Sequence, residues 1–254
     1  MHPYIGVTGF TKLEEVAAAL EVFPHNHSRK LMIGGLASWK SLRGIPLKPI
    51  RQKRFPAPEL FNSIFPNDTR AVNLIHYSMG ERKNDDGALL ADMLKIHELA
   101  GPNFQGFQLN IAWPEIDQIA EYRMVMGFDY RIVLQISHEA IEAAGGTPKG
   151  VTDMLSYYPG FIDDILIDAS GGLGKELDTE RAREFLSKIN MRLDIGLGTA
   201  GGLGPDSLHL IEPLLEEFPD LNIDAEGKLR TAENELAIGA MKTYLSKSTQ
   251  LFSS

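Results

Sequence analysis

The chain has 254 residues, 25 Lys and Arg against 34 Asp and Glu for a net charge of −9, and no cysteine. Without Cys there is no disulfide framework, thiolate metal site or cysteine nucleophile, and the acidic balance excludes a general nucleic-acid binder, which needs a positive surface for the phosphate backbone. No run reaches the roughly 20 apolar residues of a membrane helix, and Met1-His-Pro-Tyr4 lacks the basic start of a signal peptide, so a cytoplasmic protein with no membrane or nucleic-acid partner is expected.

A short apolar run at residues 4–7 opens the chain. Thr11-Lys-Leu-Glu14 then reads as a capping box, its hydroxyl and carboxylate meeting the free N–H groups at the start of a helix over 15–23. The next run, 30–36, leads into residues 39–58, where Lys40, Arg43, Lys48, Arg51, Lys53 and Arg54 stand with no acid. A helix is predicted over 58–65, a strand over 71–76 and a helix over 88–100. Strands over 106–112 and 130–136 alternate with helices over 114–126 and 138–144, and the mixed signal of 145–161 leaves room for a second short helix. Strands over 164–169, 192–197 and 221–225 alternate with helices over 179–189, 206–218 and 233–251.

The apolar runs are short and mostly continuous, which suits a parallel sheet buried on both faces. Strand–helix alternation implies right-handed crossovers, and eight pairs in roughly 250 residues is the count of a (β/α)8 barrel. No linker or low-complexity tract divides the chain, so one α/β domain over 1–254 is expected; an eight-stranded doubly wound open sheet is the alternative. A barrel places its chemistry on the loops that leave the C-terminal ends of the strands.

Those loops carry the candidate residues. Asp168 falls at the end of the sixth predicted strand and is followed by Gly171, Gly172, Gly174 and Lys175. A carboxylate there costs several kcal/mol unless paired or protonated, and the glycines let backbone N–H groups face an anion; the plain alternative is a flexible loop with a capping Asp. Gly196, Gly198 and Gly201 fit the G-x-G-x-x-G dinucleotide pattern, but at the seventh strand instead of the opening one. A phosphate cup is the better reading, with Gly201 and Gly202 baring N–H groups and Pro205 starting a helix whose N-terminus favours an anion. The +6 stretch of 39–58 suits reception of an anionic substrate, or is a solvated loop. His25 and His27 precede the second strand, on the non-catalytic face, so no metal is expected. His76 and Asn110 close the third and fourth strands, facing the pocket or packing in the barrel top.

Asp168 through Ser170-Gly-Gly-Leu-Gly-Lys175 and Leu177-Asp178 resembles the sixth-strand signature D…GGTGKxFDW of the phosphoribosylanthranilate isomerase family, and Ala200-Gly-Gly-Leu-Gly-Pro205-Asp-Ser resembles its AGGLxPxN segment. Gly9-Phe-Thr11 with Leu13-Glu-Glu15 is similar to the family's CGIT…ED opening, Gln108-Leu-Asn110 to its QLHG, and Asp224-Ala-Glu-Gly227 to its DVSSG. The resemblance implies a cofactor-free Amadori rearrangement of an N-linked phosphoribose to an open-chain ketose phosphate, the isomerisation of tryptophan biosynthesis. It implies Asp168 as the acid that opens the ribose ring, Gly201, Gly202 and Gly227 as holders of the phosphate, and an arginine of the second loop, Arg43 or Arg54, on the small anionic phosphosugar. Thr8 stands where the family keeps its base, a Cys; Asn110 stands in place of its His and Glu226 in place of a Ser beside the phosphate. The chain exceeds the family's usual length, chiefly near 39–58 and 140–160. An acid without the family's base predicts slow turnover, since each acid–base group contributes roughly 10²–10⁴ in rate. Three readings follow: an isomerase with another base, a barrel with a lyase- or aldolase-type phosphosugar reaction, and a ligand-binding relative without catalysis.

Overall fold

The computed structural model describes residues 1–80, 87–168 and 176–253. Eight parallel strands follow one another round a closed barrel in chain order: β1 (Tyr4–Thr8), β2 (Lys30–Ser38), β3 (Ala71–Ser78), β4 (Gly106–Leu109), β5 (Arg131–Ser137), β6 (Asp164–Asp168), β7 (Gly198–Ala200) and β8 (Asn222–Ala225). Closure comes from β8 against β1, with Ile5 beside Ile223 and Val7 beside Ala225. The helices are α1 (Leu13–Val22), α2 (Pro49–Gln52), α3 (Phe61–Ile64), α4 (Ala88–Ala100), α5 (Ile116–Met126), α6 (His138–Ala143), α7 (Pro148–Leu155), α8 (Thr179–Asn190), α9 (Glu212–Leu215) and α10 (Ile238–Leu251). This is the single-domain barrel that the strand–helix alternation requires. The open-sheet alternative is ruled out.

Alternate residues of each strand face the two sides of the sheet, so two cores form. Residues such as Ile33, Ile75, Phe107 and Leu134 face outward and pack under the helices in one continuous apolar layer. Tyr4, Met32, Val72, Leu74, Val133, Leu166 and Ala200 fill the barrel interior. Beneath them, at the N-terminal ends of the strands, Arg131 grips Asp164 through two bonds of 2.6 and 2.7 Å. Asn222 donates to the same carboxylate at 2.9 Å and accepts from the Tyr4 N–H at 2.8 Å. This is a buried, saturated floor.

Four local expectations are corrected. The carboxylate that caps α1 belongs to Glu15 and not Glu14, accepting from the backbone of Thr11 at 2.7 Å and Lys12 at 3.1 Å, because the N-cap falls on Lys12, one residue after Thr11, and the helix begins at Leu13. β7 is the glycine-rich segment Gly198–Ala200 and not the more apolar 192–197. Gly196 meets β6 in a parallel bridge to Asp164, and that close approach needs a glycine, because the Asp164 carboxylate stands 2.0 Å from where an ideal Cβ would go. The helix expected over 206–218 is broken into a 3-10 turn, Leu208–Leu210, and the single turn α9. Pro213 explains it, having no N–H and a ring that clashes with the preceding turn of a continuous helix. No helix starts at Pro205. The last helix begins at Ile238, not 233, and the mixed stretch 145–161 contains α7, capped by Thr147 accepting from Gly150 N at 3.1 Å.

Candidate active site at the barrel mouth

The register brings the C-terminal ends of the strands to one rim, with Thr8 beside Gly34, Ser137 beside Asp168 and Ala200 beside Asp224. Inward-facing side chains at that rim form a polar network around Asp224. The Thr8 hydroxyl donates to Asp224 Oδ2 at 2.8 Å, with Oδ1 at 3.0 Å. Gln108 Nε2 lies 3.2 Å from Asp224 Oδ2, 3.2 Å from Gln135 Oε1 and 3.0 Å from His76 Nδ1. Gln135 in turn donates to Asp168 Oδ2 at 3.0 Å. Two carboxylates are thus joined across the mouth through two amides, each amide anchored on a different strand.

Burial pushes the Asp224 carboxyl up to about 7, with the Glu226 and Asp168 charges adding to the rise and the Thr8 and Gln108 hydrogen bonds opposing it. A carboxyl that titrates near neutrality is poised to give or take a proton. Burial also lowers His76, which favours its uncharged form; Asn110 Nδ2 lies 3.5 Å from its Nε2. Thr8 is fully buried, and its hydroxyl is bound to a carboxylate that can hold its proton.

The rim between β8 and β1 carries arginine. Arg230 donates through Nη2 to the carbonyls of Thr8 and Gly9, at 2.9 and 3.1 Å. Gly9, at φ 99°, is required here: an ideal Cβ would stand 1.5 Å from that same nitrogen. Arg54 pairs with Glu226 at 2.9 Å and donates to Asn234 Oδ1 at 2.7 Å. Of the two second-loop arginines, Arg54 therefore reaches the mouth. Arg43 turns behind the sheet, binding buried Asp92 of α4 at 2.8 Å, where Tyr77 also donates. Gly201 and Gly202 leave β7 in left-handed conformations, φ 95° and 67°. Gly227 opens a 3-10 turn after β8, with open space where a side chain would go. Ser207 ties the β7 loop, accepting from Gly204 N and donating to Gly202 O, both at 2.9 Å. Gly171, Gly172, Gly174 and Lys175 lie outside the described residues.

Nothing in the sequence alone assigns Asp224, Gln108 or Gln135 a functional role, whereas Arg230 is, with Lys228, a candidate to offset the Glu226 charge beside the phosphate. The available signal was parity: Gln108, Gln135 and Asp224 occupy inward positions near strand ends, where polar side chains are out of place in a purely structural core. His27, by contrast, serves structure, its Nε2 lying 3.2 Å from Thr249 O and its Nδ1 accepting from Arg29 N. Among the described residues no group of acidic or histidine side chains is arranged to hold a metal ion.

No protein-family model matches the chain, and no curated sequence matches it. Solved structures do. Phosphoribosyl anthranilate isomerase from Thermus thermophilus superposes with a TM-score of 0.62 at 17% identity, over 98% of this chain and 99% of that one. A phosphoribosyl anthranilate isomerase in complex with reduced 1-(o-carboxyphenylamino)-1-deoxyribulose 5-phosphate gives 0.60 at 14% identity, over 97% and 99%. Orotidine 5'-monophosphate decarboxylase from Methanocaldococcus jannaschii, complexed with the inhibitor BMP, gives 0.60 at 10% identity over the whole of both chains. At these identities the likeness is one of fold.

Proposed function

We propose that this barrel is a phosphosugar isomerase that carries out an Amadori-type rearrangement with Asp224 as base and Asp168 as acid. The observation that carries the reading is the geometry of Asp224, buried at the mouth and tied through Gln108 and Gln135 to Asp168, with burial pushing its carboxyl up to about 7. Asp168 gives its proton to the ribose ring oxygen as the C1–O bond breaks, and the amine lone pair forms the C1–N double bond. Asp224 then takes the C2 proton, giving an enolamine. That species gains a proton at C1 and loses one from the C2 hydroxyl, leaving a 1-amino-1-deoxyketose phosphate. Thr8, at the position the resemblance assigns to the base, acts by holding Asp224 oriented and partly ionised. Gly201, Gly202 and Gly227 bound the phosphate end, with Arg54 beside them.

Two supports are independent of this chemistry: the motifs after β6 and β7, and a fold shared with an isomerase in complex with a reduced deoxyribulose 5-phosphate compound. The test is turnover of phosphoribosylanthranilate by the intact protein. Asp224→Asn and Asp168→Asn are each expected to lose roughly 10²–10⁴ in kcat. Wild-type turnover that survives Asp224→Asn would remove the base assignment. The likeness to the decarboxylase favours a second reading, another reaction on a phosphosugar; binding of ribose 5-phosphate without isomerisation would select it.

A further inference from the structure

Arg230 is placed expensively. Its Nη2 is satisfied by two carbonyls, but Nε and Nη1 are buried with no hydrogen-bond partner among the described residues. Burying a guanidinium without partners is costly, and here burial lowers its pKa while the charge of Glu226 is the largest opposing influence. Glu226 itself is held by Arg54 at 2.9 Å. Glu226, the residue immediately before Gly227, is thus ion-paired with Arg54, and its charge is also the largest one favouring the charged form of Arg230.

We infer that Arg230 and Arg54 form the receptor for the ligand's phosphate, and that Glu226 is a resident counter-ion which the phosphate replaces. This rests on the proposed reading of the mouth as a phosphosugar site and assigns the residues that select its anion. The charge arithmetic chooses phosphate over carboxylate. Arg230, Arg54 and Glu226 together carry one net positive charge, and two with Glu226 swung out; Glu15 and Asp224 act on Arg230 more weakly than Glu226 does. A phosphate monoester brings nearly two negative charges and three acceptor oxygens at neutral pH, enough for Nε and Nη1 of Arg230 and for Arg54 together. A carboxylate ligand brings one charge, which Glu226 already supplies, so exchanging the two gains nothing. Arginine suits the task because it remains charged when buried and presents several donors at once. Gly9 is the structural condition for this arrangement, since any side chain there would evict the Arg230 head group.

The experiment is calorimetric binding of ribose 5-phosphate, inorganic phosphate and benzoate to the full chain, with circular dichroism of every variant. Glu226→Gln removes the competitor and is expected to tighten ribose 5-phosphate at least tenfold. Arg230→Met is expected to weaken it at least tenfold, inorganic phosphate following the same order and benzoate binding weakly throughout. If Arg230→Met does not fold, Glu226→Gln decides alone, because its side chain is isosteric and half-buried. Ribose 5-phosphate bound equally by wild type and Glu226→Gln, or more weakly by Glu226→Gln, overturns the inference while the phosphosugar reading stands. Benzoate tightened by Glu226→Gln as much as ribose 5-phosphate also overturns it. Absence of ribose 5-phosphate binding in wild type and Glu226→Gln alike removes both.

Discussion

Asp224 takes up its proton near pH 7 in the folded chain and near the ordinary value of 3.8 when the chain is unfolded. Between those values the folded state holds a proton that the unfolded state has released. Stability therefore falls as pH rises from about 4 to about 7 and is level above that, at a cost on the order of 2–4 kcal/mol. Asparagine at 224 has no such proton to hold. Asp224→Asn is thus expected to melt several degrees above wild type at pH 8 and close to it at pH 4, roughly 2–4 °C for each kcal/mol in a chain of this size. Equal melting shifts at both pH values would show that the carboxyl is not desolvated as described. The same substitution is expected to cost roughly 10²–10⁴ in kcat, so on the proposed reading the residue that destabilises the fold is the one the chemistry needs. None of this was legible at residue level in the sequence. Asp168 stood out because glycines and a lysine follow it, whereas Asp224 matters because Thr8 and Gln108 arrive beside it from strands 216 and 116 residues away.

Residues 39–58 show the same division at the scale of an element. Their basic character was plain, but their path was not. From β2 the segment crosses the end of β1 to reach the β8 loop, where Lys53 meets Glu235 at 3.1 Å and Asn234 binds both Arg54 and the carbonyl of Ile50. Arg43 leaves this path for Asp92. The two arginines are therefore expected to separate in assay. Arg54→Met should raise KM for the phosphosugar about tenfold and flatten its salt dependence, while Arg43→Met should lower stability by about 2 kcal/mol through the buried Asp92 and leave KM in place. The opposite pattern in KM and melting temperature would reverse the assignment. Strand and helix order were readable because continuous apolar runs bounded by turns have few alternatives. β7 is not legible because a three-residue strand of Gly, Thr and Ala has no such signature.

Over the whole molecule the barrel is stacked as floor, filling and mouth. The floor pair, Arg131 with Asp164, is almost wholly buried, and removing one partner of such a pair costs about 3–5 kcal/mol. Arg131→Met is expected to lower the melting temperature by about 10 °C and to leave kcat and KM of the folded protein unchanged; a change in kcat at constant fold would show that floor and mouth are coupled. On β6 the spacing argues against coupling, whereas on β8 Asn222 of the floor stands only two residues before Asp224. Asp164 and Asp168 terminate the same strand, four residues or about 13 Å apart, with Leu166 between them in the apolar filling. Perturbations that far apart without shared partners combine independently. Along β6 the barrel thus has two separately editable ends, a rim that can change and a base that goes on specifying the shape, while β8 is the strand on which an edit at one end reaches the other.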